Sequence, residues 1–187
     1  MKIISLQWFT SRALRASMCL GLLAVLLMGT TFGQTANNGQ RRLVVSLITD
    51  RSIYKIGDEI TLNVLLTNIS STPINLYSYL APGESASISV WVKDEASGRD
   101  IPQTVIADSI TPPPPSKDVF IKLLAKHVYG VALKSTLANF GVEKQGRYEI
   151  IAEYHSPIPS SISFGLPIWS AEDGTLSSNR VTIAVGN

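Results

Sequence analysis

Ile60-Thr61-Leu62-Asn63-Val64-Leu65-Leu66-Thr67 is the stretch that decides the fold. Ile60, Leu62, Val64 and Leu66 fall on one side of an extended chain, and Thr61, Asn63 and Thr67 on the other. That period of two marks a strand with one face in a core and one in water. Upstream, Leu43 to Ile48 is a β-branched apolar run, and 50–58 reads as a turn punctuated by Gly57-Asp58. Downstream, Ile74 to Tyr77, Ser87 to Lys93, Val119 to Leu123, His127 to Leu133, Tyr148 to Tyr154 and Arg180 to Val185 repeat the strand pattern. Turn residues separate them, including the run Pro112-Pro113-Pro114-Pro115. Ser135 to Phe140 reads as one helical turn, and Ser156 to Ser170, with three prolines, as a long loop.

About seven to nine short strands, with no long amphipathic helix between them, predict an all-β antiparallel sandwich. They run without interruption from Leu43 to Val185, which makes residues 41–187 one domain. Residues 34–40 are a polar leader.

Residues 1–33 read as a secretory signal peptide. Lys2, Arg12 and Arg15 precede an uncharged apolar run from Met18 to Met28, and small residues follow to Gly33. The run is shorter than the roughly 20 residues needed to cross a bilayer. Cleavage is expected near Gly33–Gln34, with an uncleaved anchor as the other reading. The product is then secreted or periplasmic and has no membrane span.

Cleavage would also change the composition. The 187 residues carry 16 basic and 14 acidic side chains. Without the three signal cations, 13 basic and 14 acidic residues remain, so no basic surface for nucleic acid is expected. The one cysteine, Cys19, lies inside the signal. The product is therefore expected to lack disulfides and thiolate chemistry.

Three segments together resemble exported bacterial Ig-like domains. Asp50 to Ile60, containing Tyr54-Lys55-Ile56-Gly57-Asp58, is similar to an opening in which an aromatic residue caps the core and Gly reverses the chain. Gln145-Gly146-Arg147-Tyr148-Glu149-Ile150-Ile151-Ala152-Glu153-Tyr154 resembles a second landmark, with Gln145 where Pro is usual. Ser178 to Ile183 resembles the family's last strand. The resemblance implies that Tyr148 forms a tyrosine corner, with its hydroxyl bonded to upstream backbone. The layout is also similar to the Ig-like prodomain of deuterolysin-like zinc proteases and, more distantly, to bacterial proteinase-inhibitor sandwiches. Only the scaffold positions Tyr54, Gly57, Gly146 and Tyr148 match, so no functional residue transfers.

No catalytic motif is found. The histidines, His127 and His155, lack His-Glu-x-x-His spacing, and no Gly-x-Ser-x-Gly, phosphate loop or dinucleotide fingerprint occurs. No cofactor or metal site is expected. The acidic turns at Asp58-Glu59, Asp94 to Asp100 and Glu172-Asp173 lack the alternating ligand spacing of a calcium loop. Asn68-Ile69-Ser70 fits a glycosylation sequon but is expected to be bare.

The aromatics are the binding candidates. Trp91 is out of phase with Ile88, Val90 and Val92, and Trp169 sits in the proline-rich loop near Tyr154 and Phe164. Such side chains either stack on a ligand or cover a sheet face.

The leading expectation is a non-catalytic Ig-like module that binds protein or carbohydrate. One alternative is a proteinase inhibitor or prodomain-like protein acting through 111–117 or 156–170. The other is an enzyme with a dispersed site.

Overall fold

The computed structural model describes residues 42–82, 87–102, 114–162 and 164–187. The expected signal, the leader, Cys19 and Thr111 to Pro113 lie outside these residues.

The described residues form ten strands: β1 (Leu43–Thr49), β2 (Ile53–Lys55), β3 (Glu59–Asn68), β4 (Ile74–Tyr77), β5 (Ile88–Asp94), β6 (Phe120–Leu123), β7 (Val128–Thr136), β8 (Gly146–Tyr154), β9 (Leu176–Ser177) and β10 (Val181–Gly186). The expected helical turn is a 3-10 turn at Leu137–Phe140. One sheet has the order β1-β3-β7, a second β2-β10-β8-β5 with β9 paired to β8, and a third joins β4 to β6. Every pairing is antiparallel except β2 with β10. The first two sheets give the A-B-E and C-F-G groupings of an Ig-like sandwich.

The alternation in the sequence builds the core directly. Ile60, Leu62, Val64 and Leu66 of β3 are completely buried. They pack with Val90 and Val92 of β5, Ile150 and Ala152 of β8, and Ile183 of β10. Each of the Ile, Leu and Val side chains contributes about 1.5–3 kcal/mol through burial.

The landmark residues fasten the turns. Tyr54 is buried, and its hydroxyl donates to Asp50 Oδ1 at 2.9 Å while the Arg51 guanidinium lies 4.6 Å from the ring centre. Gly57 takes φ +82°, a left-handed conformation that an L side chain resists. Tyr148, near the start of β8, donates to Lys144 O at 2.8 Å. Its ring lies against Gly146, where an added Cβ would sit 3.4 Å from the hydroxyl oxygen. This is the tyrosine corner that the resemblance implies.

Two elements differ from the sequence reading. Residues 53–55 are strand β2 rather than turn, because they pair in parallel with Ala184 to Gly186. The segment 156–170 is not a free loop. Ile158 and Ile168 pack on Tyr77 in a second apolar cluster. Asn75 N donates to Pro167 O, and Trp169 N to Asn75 O, so this segment covers β4.

Candidate binding surface

The outer face of the five-stranded sheet is set by register. On β5, Val90 and Val92 point inward, so Trp91 points out and is 53% exposed. On β8, Tyr148, Ile150, Ala152 and Tyr154 point inward, so Glu149, Ile151 and Glu153 share the outer face. Trp91 lies directly opposite Ile151, and Lys93 opposite Glu149. Ser177 of β9 lies opposite Glu153.

Together with Arg180 and Asp100, these residues line an open groove of about 300 Å³. Trp91 Nε1–H donates to Glu153 Oε2 at 2.8 Å. Ser177 Oγ donates to the other oxygen, Oε1, at 2.9 Å. The carboxylate is therefore held from both sides and fixes the indole edge. The remaining ion pairs are loose: Arg180 Nη1 to Glu149 Oε2 is 3.4 Å, and Lys93 Nζ to Asp100 Oδ1 is 3.9 Å.

The four aromatic candidates do not form one site. Trp91 alone lines the groove. Tyr154 is 0% exposed and Trp169 4%, both within the main core. Of the two readings open for Trp169, the structure takes the one in which it covers a sheet face, because the segment carrying it is pinned over β4. Arg42 completes that closure, with its guanidinium 5.9 Å from the centre of the Trp169 ring and its Nη2 3.3 Å from Asp173 Oδ1. Phe164 is 39% exposed and packs edge-on against Phe120 at 6.2 Å, over the β4–β6 pair.

The other polar residues have structural occupations. His127 is exposed, with Nδ1 3.0 Å from Ala125 O, and His155 is bonded through its backbone to Ser87. Asp58 Oδ2 accepts from Lys55 N, Asp94 Oδ1 from Ala96 N and Ser97 N, and Asp173 Oδ2 from Ser170. Among the described residues, no group of three or more His, Cys, Asp or Glu side chains is placed to hold a metal. Asn68 is fully buried, and its carboxamide donates to Thr72 O and Leu123 O, so the sequon nitrogen is already engaged.

Glu149 and Glu153 are the groove's two carboxylates on one strand. Their backbone positions lie about 13 Å apart at the rise of an extended chain. Reading the sequence alone places both glutamates on the water face, but not Lys93, Ser177 and Arg180 beside them. Only the strand order brings these together.

No family model matches the chain, and no curated protein matches it. Among solved structures it is similar to a β-glucosidase from Listeria innocua in complex with gluconolactone, at TM-score 0.38 and 15% identity. That likeness covers 80% of this chain and 17% of the β-glucosidase. It is also similar to the CARDB domain of a Pyrococcus furiosus protein in complex with di-metal ions, at TM-score 0.35 and 12% identity. There the likeness covers 84% of this chain and 100% of that one. At these scores neither likeness carries an argument about ligand or activity.

Proposed function

We propose that the protein is an exported, non-catalytic Ig-like module that acts by contact, and that the outer face around Trp91 is its contact surface. The observation that carries this reading is Trp91 itself. A large aromatic side chain that could bury in a core stands 53% exposed, fixed by a carboxylate that is itself braced. A rigid exposed aromatic offers contact area at low entropic cost. Both oxygens of Glu153 are already engaged, by Trp91 and Ser177, which supports binding over hydrolysis. The apolar run from Met18 to Met28 supports export.

The test is retention from an envelope extract of the source cell on immobilised protein, wild type against Trp91→Ala. Wild type is expected to retain protein or glycan that the variant loses, while both show the same thermal transition. Equal retention by both would overturn the reading. N-terminal sequencing of the exported product is expected to start near Gln34, and recovery of the whole precursor in the cytoplasm would refute export.

A further inference from the structure

Resting on that contact-surface reading, we infer that the Trp91 groove holds a neutral pyranose ring, stacked on the indole, within a longer saccharide chain.

A pyranose presents an apolar face of C–H bonds and a rim of hydroxyls. It needs one flat apolar surface flanked by groups that donate and accept in the same plane. The groove has that composition. Trp91 and Ile151 are its only apolar residues, and Glu149 and Arg180 stand beside them with a planar acceptor and a planar donor. A protein-binding hot spot is built differently, with an aromatic anchor at the centre of an apolar patch depleted in charge. Five charged side chains line this groove.

The ring is organised before a ligand arrives. The Trp91 indole hydrogen bond and the Ser177 brace on Glu153 fix its edge, so stacking costs little rotamer entropy. The flanking pairs are open to exchange. Arg180–Glu149 and Lys93–Asp100 are long and solvent-facing, so hydroxyls replace water around them without breaking a strong bond.

The charge selects a neutral sugar. Lys93 and Arg180 balance Asp100 and Glu149, and Glu153 leaves the lining with one net negative charge. An acidic sugar is repelled there. The groove is open on the sheet surface, so the chain continues past the ring on both sides.

The experiment is a titration of full-length protein, followed by the indole N–H signals in a proton–nitrogen correlation spectrum. The probes are cellotetraose, maltotetraose, chitotetraose and the acidic tetragalacturonate. At least one neutral oligosaccharide is expected to move the Trp91 signal saturably while leaving the buried Trp169 signal in place. Trp91→Ala is expected to weaken that binding by about tenfold or more, read from backbone amides on β8. Glu153→Gln, which keeps an acceptor for Nε1, is expected to hold affinity within about twofold; Glu153→Ala is expected to shift the free indole signal and weaken binding. If no neutral oligosaccharide moves Trp91 while Trp91→Ala still abolishes retention of envelope material, the saccharide inference falls and the contact surface stands with a protein partner. If both signals fail, both readings fall. Stronger binding of tetragalacturonate than of any neutral probe would also overturn the inference.

Discussion

Tyr148→Phe and Tyr154→Phe remove the same atom from the same strand, and the two changes are expected to act in opposite directions. Tyr148 Oη donates to Lys144 O at 2.8 Å. A net hydrogen bond contributes about 0.5–1.5 kcal/mol, and the exposed Lys144 lets water satisfy part of the freed carbonyl, so the loss is about 1 kcal/mol. Tyr154 is fully buried, and its hydroxyl has no hydrogen-bond partner among the described residues. Burial pushes this phenol far above its usual range, and the Tyr77 backbone lies near enough to offset only a small part of that without making a well-formed hydrogen bond. Deleting an unsatisfied buried hydroxyl while keeping the ring relieves a penalty of about 1–3 kcal/mol, so Tyr154→Phe is expected to be stabilising. The assay is urea unfolding with a shared slope, supported by thermal melts. For a domain of this size each kcal/mol moves Tm by about 2–4 °C. Tyr148→Phe should melt lower than wild type and Tyr154→Phe at or above it. A loss of more than about 1 kcal/mol in Tyr154→Phe would refute the reasoning, because it would mean that the hydroxyl holds a structural partner.

Trp169→Ala is expected to cost about 3–5 kcal/mol by opening a cavity under the 156–170 segment, whereas the exposed Trp91→Ala should stay within about 0.5 kcal/mol; paired chemical melts check both. Gly141 has φ +75°, and an added Cβ would meet the Pro102 carbonyl oxygen and Ile101 Cγ2, so Gly141→Ala should cost about 2 kcal/mol or more. Gly57→Ala carries only the conformational penalty, since no atom lies within 4 Å, and should cost about 1 kcal/mol; a larger loss than at Gly141 would contradict both readings. The Thr61 backbone N–H, and then the Tyr54 hydroxyl, hold the Asp50 carboxyl below its usual range. Its contribution is therefore present above the ordinary carboxylate pKa and lost as pH falls through the lowered folded value. Asp50→Ala should be less stable than wild type near neutral pH and converge on it in strong acid, as followed by urea midpoints across pH.

The sandwich was legible where one residue type alternates with another. On β3 and β8 the period of two alone sorts inward from outward residues, and the structure keeps that sorting. The same rule turns Trp91 outward. What stayed hidden depends on distant partners. β2 has one buried residue in three, too short a run to show a period, and it exists because β10 accepts it. Tyr154 turns inward by the same rule, but Trp169 reads as part of a proline-rich loop, and its burial comes from 156–170 settling on β4. The groove needed the order β10-β8-β5 before Arg180, Glu149 and Lys93 could be seen as neighbours.

The position of β10 also governs when this molecule can fold. It comes last in the chain among the described strands, yet in its sheet it lies between β2 and β8 and sends Ile183 and Val185 into the core. A chain emerging N-terminus first from a ribosome can pair β1 with β3 early. It cannot join β2 to the rest of its sheet until β10 arrives. The five-stranded sheet is therefore locked by the last of its described strands to emerge, which makes loss of β10 a break in the middle of a sheet rather than a frayed edge.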